Sequence, residues 1–181
     1  MSYNDRFIYL MRDFNDDMAL NVIKQLFDLD NKNKRDIFLI INSNGGDLSA
    51  LFAIHDAIKL IKSNVATVCI GRAYSAAACL LIAGKKGKRF ITKHSDIMFH
   101  ELSSEIEGKI SAIKDEMESL KHYDSIMQEL ASENLGTSYK KVLKRRKEAY
   151  YNATEALDIG AVDYIINSID DLAKYTDLKT T

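Results

Sequence analysis

The 181-residue sequence predicts an α/β fold built on a largely parallel sheet, and three observations predict it. Runs such as residues 36–41 (DIFLII) and 65–70 (VATVCI) are nearly continuous β-formers, the mark of strands buried on both faces. Between such runs, apolar residues recur at helical spacing. Strand and helix patterns then alternate along the chain, which is how a parallel sheet with crossover helices is written. There is no proline, so no rigid linker divides the chain, and no repeat or low-complexity stretch interrupts it.

The elements follow in order. Residues 6–11 (RFIYLM) form a first strand. Asp16 and Asp17 open a helix carrying Ala19, Val22, Ile23, Leu26 and Phe27, and the acidic pair suits its positive end. Strand 36–41 ends at Asn42-Ser43-Asn44-Gly45-Gly46-Asp47. A helix follows with Leu48, Leu51, Phe52, Ile54, Ile58, Leu60 and Ile61 as its apolar face. Strand 65–70 is expected to break at Gly71, and residues 75–83 (SAAACLLIA) form an apolar helix. After a basic glycine turn come short strands at 89–92 and 96–99, the second closed by His100. Ile106, Ile110, Ile113, Met117, Leu120, Met127 and Leu130 carry a long amphipathic helix that ends near Gly136. A basic helix at 139–147, a short helix from Thr154 closed at Gly160, and a last strand at 162–166 complete the chain.

Composition excludes several classes of function. Lys and Arg number 25 against 26 Asp and Glu, a net charge of −1. That balance gives no general electrostatic grip on nucleic acid or anionic lipid, so neither is expected as a partner. The longest apolar stretch, residues 76–84, is too short to span a bilayer. Cys69 and Cys79 sit in apolar segments without a CxxC or Cys/His cluster. They read as small buried hydrophobes, and no metal or other cofactor is expected. Residues 1–6 lack the basic and apolar regions of a secretory signal, so the expected compartment is the reducing cytoplasm.

Two strand-to-helix junctions carry chemistry-bearing residues. At residues 42–47, Gly45-Gly46 allows a sharp turn with unobstructed N–H groups, which can hold an oxyanion; alone, such a pair is more often a plain turn. It is neither a phosphate-binding Walker loop nor GxGxxG. At residues 71–78 (GRAYSAAA), Ser75 stands at a helix start among small residues. The positive helix end favours an attacking oxygen there, although an N-cap serine is the commoner meaning. His55 and His122 read as solvated helix residues and His94 as a turn residue. His100, at a strand end, has the reach a general base needs, while a histidine merely satisfied at the sheet rim looks the same.

Together these pieces resemble the proteolytic subunit of the Clp protease, the ClpP family of serine peptidases in the crotonase-like superfamily. The family's Asn-Ser-Pro-Gly-Gly and Gly-x-Ala-x-Ser motifs are matched by residues 42–46 and 71–75. Residues 83–90 (AGKKGKRF) resemble its AGxKGKR turn, residues 97–100 (IMFH) its strand ending in histidine, and residues 152–163 its TAEEAxxxGLVD segment. The resemblance spans about residues 6–166. It implies a ClpP-like fold of repeated β-β-α units with a long handle helix. Residues 1–100 and 133–170 would form one head domain, 101–132 the handle, and 171–181 a C-terminal tail.

The resemblance also implies a serine endopeptidase acting on peptides or unfolded proteins through an acyl-enzyme. Ser75 is then the nucleophile, His100 the general base, and the N–H groups of Gly46 and Ala76 the oxyanion hole. An extended peptide would pair with Gly45, Asp47 and Leu48 on one side and with the segment after His100 on the other. The family's orienting aspartate falls on Glu148, where the chain is one residue short when counted from Gly136; a solvated glutamate in a charged run is the competing meaning. Implied partners are copies of the same chain, in seven-membered rings stacked as a tetradecamer, and an AAA+ unfoldase. Engagement of the unfoldase is left open, because the sequence starts at the first core strand without the family's axial loops. The post-histidine segment and the ring-pairing residues also depart from the family, as Glu101-Leu102, Ser103-Ser104, Arg146 and Lys147. Two alternatives stand beside the peptidase: a non-proteolytic structural ring subunit with a degraded triad, and a crotonase-type acyl-CoA enzyme.

Overall fold

The computed structural model describes residues 3–102, 109–143 and 147–178. After a 3₁₀ turn (Tyr3–Arg6) come β1 (Phe7–Leu10), α1 (Asp16–Lys32), β2 (Ile37–Ser43), α2 (Leu48–Leu60), β3 (Val65–Tyr74) and α3 (Ala76–Ile82). Then follow β4 (Arg89–Thr92), β5 (Asp96–His100), α4 (Ile110–Leu135), α5 (Tyr139–Val142), β6 (Glu148–Asn152), α6 (Ala153–Asp158), β7 (Tyr164–Ile166) and α7 (Ile169–Ala173). The fold is α/β with a parallel sheet and a long helix, as expected. Strands run β1-β2-β3-β4-β7, all parallel, and β5 joins β3 in parallel. Among the described residues only β6 is antiparallel, on the outer side of β5.

Strand β2 is buried on both faces, and its alternation sorts the core. Ile37, Leu39 and Ile41 face the larger apolar cluster with α1, α2 and α3; Phe38 and Ile40 face a smaller one closed by Leu172 of α7. Helix α1 is capped by Asn15, whose side chain accepts from Met18 N–H, and Asp16 and Asp17 fill its first turn. It buries Ala19, Val22 and Leu26, whereas Phe27 points outward. On α2, Leu51 and Ile54 are buried, but Leu60 is 76% exposed and does not belong to the apolar face.

Several expectations are corrected. Gly71 does not break β3. With φ of +92° it bends the strand, and its N–H donates to Ser95 Oγ at 2.7 Å. Before the bend, residues 67–69 pair with β4; after it, residues 72–74 pair with β5. Among the described residues the basic helix expected at 139–147 covers Tyr139–Val142, residues 144–146 lie outside them, and Glu148 begins a strand. Strand β6 alternates exposed and buried residues, a pattern hidden behind the charged run before it. Helix α7 was not expected, and β7 starts at Tyr164 rather than at residue 162. Helix α4 begins at Ile110 and ends on a left-handed Gly136 cap; Ile106 lies outside the described residues.

Buried charges tie the far edge of the sheet together. Arg89, 2% exposed, meets Asp163 at 2.6 Å and also donates to the Asn134 carbonyl at the end of α4. Burial pushes the Asp163 carboxyl up, but bonds from Arg89 and from the Gly87 N–H outweigh it and hold the group below its ordinary value. A depressed carboxylate contributes stability above its unfolded value of about 3.9, and that contribution disappears as pH falls through the folded value. Asp163→Ala is expected to cost about 3 kcal/mol at neutral pH by stranding a buried guanidinium. Denaturant titration at pH 7 and at pH 3 checks this: the gap between wild type and variant should narrow at the lower pH.

Candidate active site

Ser75 stands between the end of β3 and the start of α3. Its φ is +55°, and it is the one non-glycine residue with positive φ among the described residues. This turn is not a capped helix start. The Ser75 side chain makes no cap hydrogen bond. Its Oγ instead lies 2.6 Å from His100 Nε2, while its own N–H donates to the Met98 carbonyl at 2.8 Å. The strained backbone therefore turns the hydroxyl away from the helix and toward the end of β5.

The glycine turn closes on the same point. A Cβ on Gly45 would sit 2.7 Å from the Tyr74 carbonyl oxygen and 2.8 Å from Ser75 Cβ, so this approach requires glycine. Phe14 holds the turn in place. Its N–H donates to the Gly45 carbonyl at 2.8 Å, and its carbonyl accepts from Asp47 N–H at 3.1 Å. A strand bridge of that kind turns the intervening Gly46 N–H away from Phe14. Ala76 N–H is the first amide of α3 and has no partner within the helix. Four of the expected groups, Ser75, His100, Gly46 and Ala76, thus lie around the β3–α3 turn.

Other expected residues have mixed placements. Leu48 is half-buried against the core, while Asp47 is exposed and caps α2, its side chain accepting from Ala50 N–H at 2.8 Å. Glu148 sits directly opposite His100 in the antiparallel β5–β6 register, on the same face of the sheet. Its exposed carboxylate accepts from the Tyr150 hydroxyl at 3.2 Å. Among the described residues, no hydrogen bond joins Glu148 to the His100 ring. Ser103, Ser104 and Arg146 lie outside the described residues, and Lys147 is exposed, its carbonyl accepting from Glu101 N–H.

Of the remaining histidines, His94 and His122 are exposed. His55 is not simply solvated: its Nδ1 lies 3.2 Å from Asp56, and its Nε2 is buried without a hydrogen-bond partner among the described residues. Burial pushes both cysteine thiols up to about 12, as befits small core residues. Among the described residues no group of His, Cys, Asp and Glu is placed to hold a metal ion, and no helix is long and apolar enough to cross a membrane.

Two positions that no motif marked also shape the site. Phe14 pins Gly45-Gly46, and Tyr139 donates to the His100 carbonyl at 2.9 Å. Neither carries a sequence signal, because a lone aromatic residue near a turn looks the same whether or not it serves a site.

Comparison with known proteins shows which proteins the chain resembles. The Clp protease family matches residues 1–169. The chain is 37% identical over 163 residues to the ATP-dependent Clp protease proteolytic subunit of Carsonella ruddii (strain PV), covering 90% of this chain and 84% of the relative. It is 35% identical over 168 residues to the ATP-dependent Clp protease proteolytic subunit 2 of Bifidobacterium longum (strain NCC 2705), covering 92% of this chain and 81% of the relative.

The positive φ at Ser75 has a measurable cost. Glycine relieves it and alanine does not, so Ser75→Gly should be more stable than Ser75→Ala by about 1 kcal/mol. Denaturation of the two variants at equal protein concentration checks the difference.

Proposed function

Because the chain belongs to the Clp protease family, we propose that it is a serine endopeptidase that cleaves peptides and unfolded proteins inside a ring of its own copies. The observation that carries this reading is the 2.6 Å contact between Ser75 Oγ and His100 Nε2 at a strained strand-to-helix turn.

The chemistry follows from those atoms. His100 Nε2 takes the Ser75 proton as Oγ attacks the peptide carbonyl carbon. The N–H groups of Gly46 and Ala76 receive the developing oxyanion. Collapse of the tetrahedral species expels the amine, which His100 protonates. Water, activated by the same imidazole, then releases the acyl group and restores Ser75. The substrate lies extended along Gly45, Asp47 and Leu48, with the segment after His100 as its second edge. Glu148 fills the third role: facing His100 across the β5–β6 pair, it orients the ring and favours the imidazolium.

Assembly follows from α4. Residues 101–132 form a handle and residues 1–100 and 133–170 a head, with residues 171–181 as a tail. The first half of α4 has no buried side chain, and its Ile110 and Met117 are 75% and 48% exposed. Those residues fit an interface between copies, in seven-membered rings stacked in pairs. An ATP-driven AAA+ unfoldase is the partner that would feed such a chamber, in keeping with the ATP-dependent names of the relatives.

One observation favours a second reading, a structural ring subunit without turnover: the Glu148 carboxylate is bonded to Tyr150 and not to His100. The acyl-CoA reading has no comparable support, since the matched family and relatives are proteases. A fluorophosphonate probe and a fluorogenic peptide on assembled protein separate the first two. In a peptidase, wild type labels and turns over while Ser75→Ala and His100→Ala do neither, and Glu148→Gln loses about 10²–10⁴-fold in kcat. Equal, absent labelling of wild type and Ser75→Ala establishes the structural subunit. A fully active Glu148→Gln removes Glu148 from the mechanism.

A further inference from the structure

Tyr139 is a buried residue that the mechanism above does not use. It is 2% exposed, and its ring packs edge-on against Phe99 at 5.8 Å between centroids. Its hydroxyl donates to the His100 carbonyl at 2.9 Å. The register explains why that carbonyl needs a side-chain partner. In the antiparallel β5–β6 pair, alternate residues exchange backbone bonds. Glu101 N–H bonds the Lys147 carbonyl, so residues 97, 99 and 101 bond toward β6, and residues 98 and 100 turn their backbone groups toward β3. The Met98 carbonyl there meets Ser75 N–H. The His100 carbonyl lies one step further on, where β3 has already ended at Tyr74 and the chain has turned into α3.

The Tyr139 phenol occupies that missing rung. It also lies within interaction range of the Cys79 thiol, one helical turn beyond Ser75 on α3. Burial, reinforced by Cys79, pushes the phenol far up, so it keeps its proton and remains a donor. One hydroxyl thus stands between the helix that carries the nucleophile and the strand end that carries the base.

We propose that Tyr139 is a positioning residue for the Ser75–His100 pair, its hydroxyl fixing the end of β5 so that the imidazole meets Ser75 Oγ. This rests on the peptidase reading, and it concerns geometry within the site, since the phenol does not touch the reacting atoms. A ring nitrogen displaced by a fraction of an ångström from its hydroxyl loses rate and not substrate affinity.

The test is Tyr139→Phe, which keeps the ring against Phe99 and removes only the hydroxyl. Fluorogenic peptide turnover, the rate of Ser75 phosphonylation, thermal midpoint and assembly state are measured beside wild type and Ser75→Ala. The expected result is a fall in kcat of about tenfold to a hundredfold, with KM and assembly unchanged and phosphonylation slowed in parallel. Wild-type kcat and labelling rate in Tyr139→Phe overturn the proposal and leave the peptidase reading intact. A raised KM at unchanged kcat overturns it as well, because the hydroxyl then shapes substrate binding. If Tyr139→Phe assembles poorly, rates are referred to the Ser75 sites titrated by the probe; a loss that vanishes on that basis is structural and overturns the proposal. Wild type that neither labels nor turns over removes the peptidase reading, and the positioning role with it.

Discussion

Ser75 joins the ends of β3 and β5 through both its backbone and its side chain. Its N–H extends the β3–β5 pairing by one bond, to Met98, and its Oγ then meets the ring two residues further along β5. The side-chain contact goes with the left-handed φ, which carries the chain out of the strand direction and into α3 within one residue. The residue that would perform chemistry is therefore also the joint of the local structure. Backbone strain of this kind persists only where the surroundings over-determine it. Here they do, through Gly45 packed against Ser75 Cβ, Met98 bonded to its N–H, and α3 buried along its whole length.

The sheet prepares that joint by letting β3 serve two neighbours. Its first half pairs with β4 and belongs to the two-sided core; its second half, past Gly71, pairs with β5. The bend separates a rigid interior from a rim where one face of β5 and β6 is uncovered in the single chain. Asp96, Met98 and His100 on β5 share that face with Asn152, Tyr150 and Glu148 on β6. Tyr74 joins it from β3, donating to Asp96 at 2.8 Å and meeting Tyr150 edge-on. The rim is polar and aromatic, and the hydrophobic residues of the same strands, Ile97, Phe99 and Tyr151, point the other way.

What could be read from the sequence follows from how local each signal is. Strand β2, helix α1 and the two glycine-marked junctions announce themselves within a few residues, by hydrophobic continuity, period and turn chemistry. Ser75 and His100 were legible for the same reason, each sitting at the edge of such a signal. Strand β6 was not, since five residues of alternation followed a run of lysines and arginines that reads as helix. Glu148 was identified by its place in a motif, but its neighbour Tyr150 and its exposure are products of pairing between distant segments. Phe14 and Tyr139 were invisible altogether. Their roles depend on which backbone groups the sheet leaves unpaired at the Gly45-Gly46 turn and at the end of β5.

Helix α4 has a mechanical side. Its 26 residues make a rod of roughly 39 Å. Its root is clamped: Met127, Leu130 and Ala131 are buried, and Arg89 grips the Asn134 carbonyl. Gly136 ends it, and Tyr139 follows three residues later with its hydroxyl on the His100 backbone. Such a rod is a lever whose short arm ends beside the end of β5. A tilt of about 5° at the clamp sweeps its Ile110 end through roughly 3 Å. The rod thus runs from exposed Ile110 to Gly136, three residues before the tyrosine whose hydroxyl holds the His100 carbonyl.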